Sequence, residues 1–381
     1  MKVEAFVQKI QELEIHTIAG VPDSTLRLFC DYINNDGRGI FENHVVTENE
    51  GAAIGIGIGE YLATGNPACV YMQNSGLGNV VNPVTSLANA DIYGIPMLLL
   101  IGWRGEPGTA DEPQHKFMGK VTIPMLKVLD IPYAVMGTET SDEEMEVFLQ
   151  HARSAFAHNR QYAFVIKRGT FDKRDENIYR NRYPLKRERA IEMIVNWLRP
   201  GNLVVSTTGK ISREVYEQSN KILETHQQIF MTVGGMGYAS MIAYQLAKKK
   251  VNQKVICLDG DGAVLMHLGS LAVIGRHPVD NLVHICFNNE AHESVGGMPT
   301  GAEGAAYADI AKACGYGWVY RAANQEELEK ALAEIRLSKE MVFLEINVAI
   351  GSRDNLGRPK ETAQENKAAF MEYVKQWEQK K

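Results

Sequence analysis

The chain has 381 residues, of which 45% are hydrophobic and 23% charged, and its formal net charge is -6. This length calls for two cores of roughly 150–200 residues each, and the balance is that of a soluble globular protein. The acidic charge excludes a nucleic-acid surface, which needs an excess of base, and no run approaches the ~20 apolar residues of a membrane span. The five cysteines, Cys30, Cys69, Cys257, Cys286 and Cys314, form no C-x-x-C pair and sit mostly in apolar runs, as thiols do in a reducing compartment. Residues 1–15 lack the basic start and apolar stretch of a signal peptide, so a cytoplasmic protein is expected.

Short β-branched runs alternate with longer helical periods, which predicts an α/β fold built on parallel sheets. Val3, Phe6, Val7, Ile10 and Leu13 mark a first helix. Strands are predicted over residues 16–19, 44–47, 68–73, 96–101, 132–136 and 162–166, and a capping box from Ser141 to Glu144 opens the helix before the last of them. The texture then changes: 11 of the 18 residues from Asp172 to Arg189 are charged. That predicts a surface linker over 171–189, joining a first domain of residues 1–170 to a second of residues 190–381. A helix from Arg187 starts the second alternation, with strands predicted over 203–206, 229–232, 254–258, 282–287 and 341–346. Phe370, Tyr373, Val374 and Trp377 give a closing helix its apolar face. The expected architecture is two doubly wound parallel-sheet α/β domains.

The sharpest local pattern is Leu258-Asp259-Gly260-Asp261-Gly262, followed after 25 residues by Asn288-Asn289. An apolar strand precedes each part, which places both at strand carboxyl ends, where open α/β sheets bind ligands. Glycines there let backbone N–H groups approach a phosphate, and the next helix offers its positive end. A carboxylate, an amide oxygen and phosphate oxygens together suit octahedral Mg2+. Taken singly, Gly-Asp-Gly is a tight turn and Asn-Asn a loop; the pairing at this spacing is what points to a cofactor.

This segment resembles the diphosphate-binding motif of the thiamine-diphosphate-dependent enzymes. The resemblance implies thiamine diphosphate and Mg2+ as cofactors, with Asp261, the Asn289 side chain and the Ala291 carbonyl as metal ligands. Gly260 and Gly262 would meet the diphosphate, as would the small-residue turns Thr207-Thr208-Gly209 and Val233-Gly234-Gly235-Met236-Gly237. Met236 takes the position of the apolar residue that bends the cofactor. The family also needs a glutamate on the aminopyrimidine ring, which favours the tautomer that removes the thiazolium C2 proton. Aligned without a gap on the family's E…GY-A-x-x-G pattern, that residue is Glu50, two positions from the alternative Glu48, ahead of a helix carrying Gly51, Gly55, Gly57 and Gly59. Glycine costs a helix interior up to ~1 kcal/mol relative to alanine, so close packing or ligand approach is expected there.

No middle domain separates the two halves and no His-His pair occurs, unlike the pyruvate decarboxylase type. The whole chain instead resembles the family's short two-domain decarboxylases acting on phosphonopyruvate or sulfopyruvate. That resemblance rests on Gly20-Val21-Pro22-Asp23-Ser24-Thr25-Leu26, Gln73-Asn74-Ser75-Gly76-Leu77-Gly78-Asn79, Trp103-Arg104-Gly105, Gln114-His115-Lys116-Phe117-Met118-Gly119 and Glu293-Ser-Val-Gly-Gly-Met-Pro-Thr300. It implies an anionic 2-keto acid as substrate, and a homodimer or homotetramer with the site at the subunit interface. Asp23, Ser24 and His115 become candidate catalytic residues, and Asn74 and Ser75 candidate cofactor contacts. As plain sequence, Asp23, Ser24, Asn74 or Ser75 could equally cap the next helix. Arg104, Lys210, Arg213 and His292 are candidate cations for the substrate anion, although any one of them taken singly reads as solvated surface charge. A non-catalytic nucleotide-binding module is the rival class, but no G-x-x-x-x-G-K-[ST] loop is present.

Overall fold

The computed structural model describes residues 1–379 and divides between Ile178 and Tyr179 into two units, the first of which also takes Met298–Gly301. The first unit is built on β1 (Thr17–Gly20), β2 (Asn43–Val46), β3 (Ala68–Gln73), β4 (Met97–Gly102), β5 (Tyr133–Met136) and β6 (Gln161–Ile166). They form one parallel sheet in the order β2-β1-β3-β4-β6-β5. The second unit is built on β7 (Leu203–Ser206), β8 (Ile229–Met231), β9 (Val255–Gly260), β10 (Leu282–Asn288), β11 (Trp318–Ala322) and β12 (Val342–Asn347). Its parallel sheet runs β11-β12-β10-β9-β7-β8. Numbered from its own first strand, each sheet reads 2-1-3-4-6-5. The two halves are the same doubly wound fold.

The central strands β4, β6 and β10 are buried from end to end, as parallel strands covered on both faces must be. Side chains alternate between faces along each strand. In the second unit Val204, Ile256, Leu258 and Ile285 pack against helices Arg187–Trp197 and Gln325–Leu337. Leu203, Val205, Cys257 and Cys286 pack against helices Ala239–Lys249 and Tyr307–Cys314 on the other side. Each buried Val, Leu or Ile contributes ~1.5–3 kcal/mol of apolar transfer, and this sets the layering.

Three differences from the sequence expectations have physical causes. Strands expected at Pro96 and Pro132 begin one residue later, at Met97 and Tyr133, because proline has no N–H for the ladder. The strand Trp318–Ala322 was not expected at all; it is a half-exposed sheet edge whose short apolar run, Trp318-Val319-Tyr320, gives way to Arg321. The charged segment expected as a surface linker has no regular structure before Arg187, yet it is tied down. Arg174 lies over the Tyr32 ring and pairs with Asp36, Asn177 donates to Asp31 at 3.1 Å, and Leu185 and Arg187 are buried.

The glycine-rich helix Glu50–Thr64 needs only part of its glycine for packing. A Cβ at Gly57 would collide with Met97, whereas Gly55 and Gly59 face open space, so no packing among the described residues explains them. Among the described residues no helix is long and apolar enough to cross a membrane.

Candidate cofactor site

In the first unit, four loops at the carboxyl ends of β1 to β4 carry the candidate residues. After β2, Asn49 caps the next helix, its Oδ1 accepting from Gly51 N at 2.7 Å, and this sets Glu50 as the first helical residue. Glu50 is 5% exposed, while Glu48 faces solvent. The Glu50 carboxylate accepts from Asn79 Nδ2 at 2.6 Å, and a Cβ at Gly76 would collide with it. The 3-10 turn Asn74–Gly76 and the helix Leu77–Pro83 that follows it therefore grip the glutamate from two sides. The Asn79 contact was passed over in the sequence, although Asn79 sits in a segment already singled out.

After β1, Asp23 is fully buried. Its Oδ2 accepts from Thr25 N at 2.7 Å and Leu26 N at 3.1 Å, so it does cap the turn before helix Arg27–Asn34. Its Oδ1 is buried without a partner. Burial raises its carboxyl above the usual range, against the N–H donors and Gln73. The Asn74 amide is spent inside the protein: Nδ2 donates to Arg104 O at 2.8 Å and Thr122 Oγ1 at 2.9 Å, and Oδ1 accepts from Arg104 N. Ser75 Oγ donates to Gln73 Oε1 at 3.0 Å.

The Trp103-Arg104-Gly105 and Gln114–Gly119 segments were separate motifs in sequence and form one structure. Trp103 Nε1 donates to Gly119 O at 2.9 Å, and a Cβ on Gly105 or Gly119 would collide with the other segment's backbone. This places His115 near Arg104. Burial, with Arg104 adding to it, lowers the His115 pKa to about 4, so the ring is neutral at pH 7. Arg104 is clamped by Asp111 through Nε at 2.8 Å and Nη2 at 2.5 Å, and its Nη1 donates to Ser24 Oγ at 2.8 Å.

The Arg104 hydrogen bond, ahead of the opposing burial effect, lowers the Asp111 pKa to about 2. A depressed carboxyl contributes stability that is complete above its unfolded value of 3.8 and is lost as pH falls toward 2. Wild type should therefore melt above Asp111→Asn by a constant margin at pH 5 and higher. The margin should close between pH 4 and 2 in a calorimetric series; a margin indifferent to pH would contradict the assignment.

In the second unit the same strand ends carry the other half of the candidates. Register pairs Gly260 on β9 with Phe287 on β10, which brings Asp261 beside the Asn289 loop. Asp261 is 4% exposed and opens the helix Asp261–Met266. Its Oδ1 accepts from Gly262 N at 2.8 Å, while Oδ2 is buried with no partner. Burial pushes the carboxyl up to about 7, against N–H groups of Gly262, Glu290, Asn289 and Ala291. A buried carboxylate oxygen left unpaired is costly, and a bound cation is what removes that cost. The donor set therefore fits a hard divalent ion. Asn289 Oδ1 accepts from Ala291 N at 3.1 Å across Glu290, whose φ is +60°.

The candidate diphosphate turns lie at the ends of β7 and β8. Thr208 Oγ1 donates to Val233 O at 3.0 Å, which ties the two turns together. Gly209, Gly235 and Gly237 have φ of +95°, +68° and +88°, a region L side chains avoid, and Met236 stands half-buried between the last two. Gly260 and Gly262 flank Asp261, and a Cβ on Gly262 would press on His292.

The candidate cations come out differently from the sequence expectation. Arg104 pairs with Asp111 and Lys210 with Glu293 at 3.0 Å, while burial lowers the His292 pKa to about 4. Arg213 is half-buried. Sequence reading also missed the ion set of Arg187, Glu214 and Glu293, whose side chains are 4, 1 and 7% exposed, although Glu293 begins a segment already singled out. Their separation along the chain leaves no local signal.

Residues 2–123 match the N-terminal TPP binding domain of thiamine pyrophosphate enzymes, and residues 207–346 match the C-terminal TPP binding domain. The chain is 34% identical over 379 residues to phosphonopyruvate decarboxylase of Streptomyces viridochromogenes, covering 95% of this chain and 92% of that one. It is 33% identical to phosphonopyruvate decarboxylase of Streptomyces hygroscopicus, covering 95% and 91%. Sulfopyruvate decarboxylase of Methanosarcina acetivorans is 26% identical over 367 residues, covering 89% and 91%.

Proposed function

Because the chain belongs to the thiamine pyrophosphate enzyme family, we propose that it is a thiamine-diphosphate- and Mg2+-dependent carboxy-lyase converting 3-phosphonopyruvate to phosphonoacetaldehyde and carbon dioxide. The observation that carries this reading is likeness to phosphonopyruvate decarboxylase along 95% of the chain. The sulfopyruvate relative is more distant, at 26% identity.

When bound, thiamine diphosphate supplies the electron sink for loss of carbon dioxide. Asp261, Asn289 and the Ala291 carbonyl would hold Mg2+, and the orphaned Asp261 oxygen supports that role. Thr208, Gly209, Gly235, Gly260 and Gly262 would offer backbone N–H groups to the diphosphate, and Met236 would press on the cofactor. Glu50 would exchange a proton with the aminopyrimidine ring, its carboxylate aligned by Asn79. Asn74 and Ser75 would meet that ring through their main chain, since their side chains are engaged elsewhere. Asp23, Ser24 and neutral His115 would stand on the substrate side, His115 able to accept or donate a hydrogen bond without adding charge. The active unit would be a homodimer, or a pair of them, with each site shared between the first domain of one chain and the second of its neighbour. Five free cysteines, four of them buried, support a reducing, cytoplasmic setting.

The test is turnover of purified protein with phosphonopyruvate, sulfopyruvate and pyruvate, each with and without thiamine diphosphate and Mg2+. Phosphonopyruvate should exceed pyruvate by orders of magnitude in kcat/KM, because polar groups that pair with an anion are left unmatched by a methyl group. Preference for sulfopyruvate would move the substrate to the sulfonate; equal efficiency with pyruvate would remove the anion site from the reading.

A further inference from the structure

The Asn289 side chain has two ends of almost the same shape, and only its oxygen can bind a cation. Something must decide which end faces the metal. In this chain two contacts do so from opposite sides: Ala291 N donates to Oδ1 at 3.1 Å, and Nδ2 donates to Glu293 Oε2 at 2.9 Å. A carboxylate has no hydrogen to give, so an inverted amide would set two acceptors against each other. We propose that Glu293 is the positioning residue that orients the Asn289 amide toward Mg2+. We further propose that Arg187, Lys210 and Glu214 hold the Glu293 carboxylate in place. This rests on the reading of Asp261 and Asn289 as metal ligands.

The supporting set is complete on its own. Arg187 spans both carboxylates, donating to Glu214 through Nε and Nη2 at 2.8 Å each, and to Glu293 through Nη1 at 2.5 Å and Nη2 at 3.1 Å. Lys210 Nζ donates to Glu293 Oε1 at 3.0 Å. Two cations thus meet two carboxylates, and burial of the group is met by charge neutrality and near-saturated hydrogen bonding. The members come from three places. Arg187 opens the helix Arg187–Trp197, Lys210 and Glu214 lie in the first turns of helix Lys210–Ile222, and Glu293 closes the metal loop. Lys210 directly follows the Thr208-Gly209 turn, so the same ion set ties the candidate diphosphate turn to the candidate metal loop. Ligand-orienting partners of this kind typically change metal affinity 10–100-fold when removed.

The experiment titrates Mg2+ by calorimetry into the full-length protein at saturating thiamine diphosphate, and measures melting without metal. In Glu293→Gln the new side-chain amide can donate as well as accept, so position 293 no longer rejects an inverted Asn289 and only Ala291 N still favours the native orientation. The Mg2+ Kd should rise ~10–100-fold. Glu293→Asp keeps the charge and its ion pairs but draws the carboxylate back from Asn289. It should show a smaller rise in the same direction, and it serves if Glu293→Gln does not fold. An unchanged Mg2+ Kd in the folded variant, with or without a lowered metal-free melting temperature, assigns the set to structure alone and overturns the proposal. If wild type binds neither thiamine diphosphate nor Mg2+, the ligand reading itself fails and the proposal falls with it.

Discussion

Asp261→Asn should abolish the stabilisation that thiamine diphosphate and Mg2+ confer, and leave a folded protein. In wild type, ligand present at a hundredfold excess over its Kd stabilises by ~2.7 kcal/mol, visible as a concentration-dependent rise in melting temperature. The variant should show no rise at any concentration tested. Its metal-free form should also melt no lower than wild type's. The substitution keeps the shape while removing a buried carboxylate whose Oδ2 has no partner. Asp261→Ala should lose the ligand response too, with some added loss of packing. A thermal shift in Asp261→Asn equal to the wild type's would remove Asp261 from the metal site.

Glu50→Gln should bind cofactor and yet lose ~10²–10⁴ of turnover, the usual contribution of a positioned acid–base group. The amide can keep contact with Asn79 and fill the space beside Gly76, so the loss isolates the proton from the packing. Exchange of the thiazolium C2 proton, followed by NMR, should slow in parallel. Glu48→Gln should be near wild type, because Glu48 faces solvent; the reverse pattern would shift the role to Glu48. The same variant tests the shared site. Mixing Glu50→Gln chains with Asp261→Asn chains, under conditions of subunit exchange, should regenerate activity. A mixed dimer then holds one site with both lesions and one with neither. Demonstrated heterodimers without activity would confine each site to a single chain.

Period and composition were enough to read much of the fold from sequence. Apolar β-branched runs marked eleven of the strands that appear here, because a parallel strand covered on both faces must be apolar throughout. The edge strand Trp318–Ala322 was passed over, although the equally exposed edge strand Asn43–Val46 was read; its apolar run spans only Trp318 to Tyr320 before Arg321. The Gly-Asp-Gly and Asn-Asn pattern was visible because metal and phosphate chemistry needs particular residue types at strand ends that topology makes adjacent. The partners of those residues were not visible. Asn79 reaches Glu50 across 29 positions, Thr122 reaches Asn74 across 48, and Arg187 reaches Glu293 across 106. Arg187 looked like part of a charged surface linker in sequence, and Arg104 and Lys210 looked like cations available to a substrate. Which charge is buried, and which carboxylate neutralises it, depends on the distance between segments far apart in the chain. Local sequence carries the chemistry of a residue, but only the packed structure decides what that residue faces.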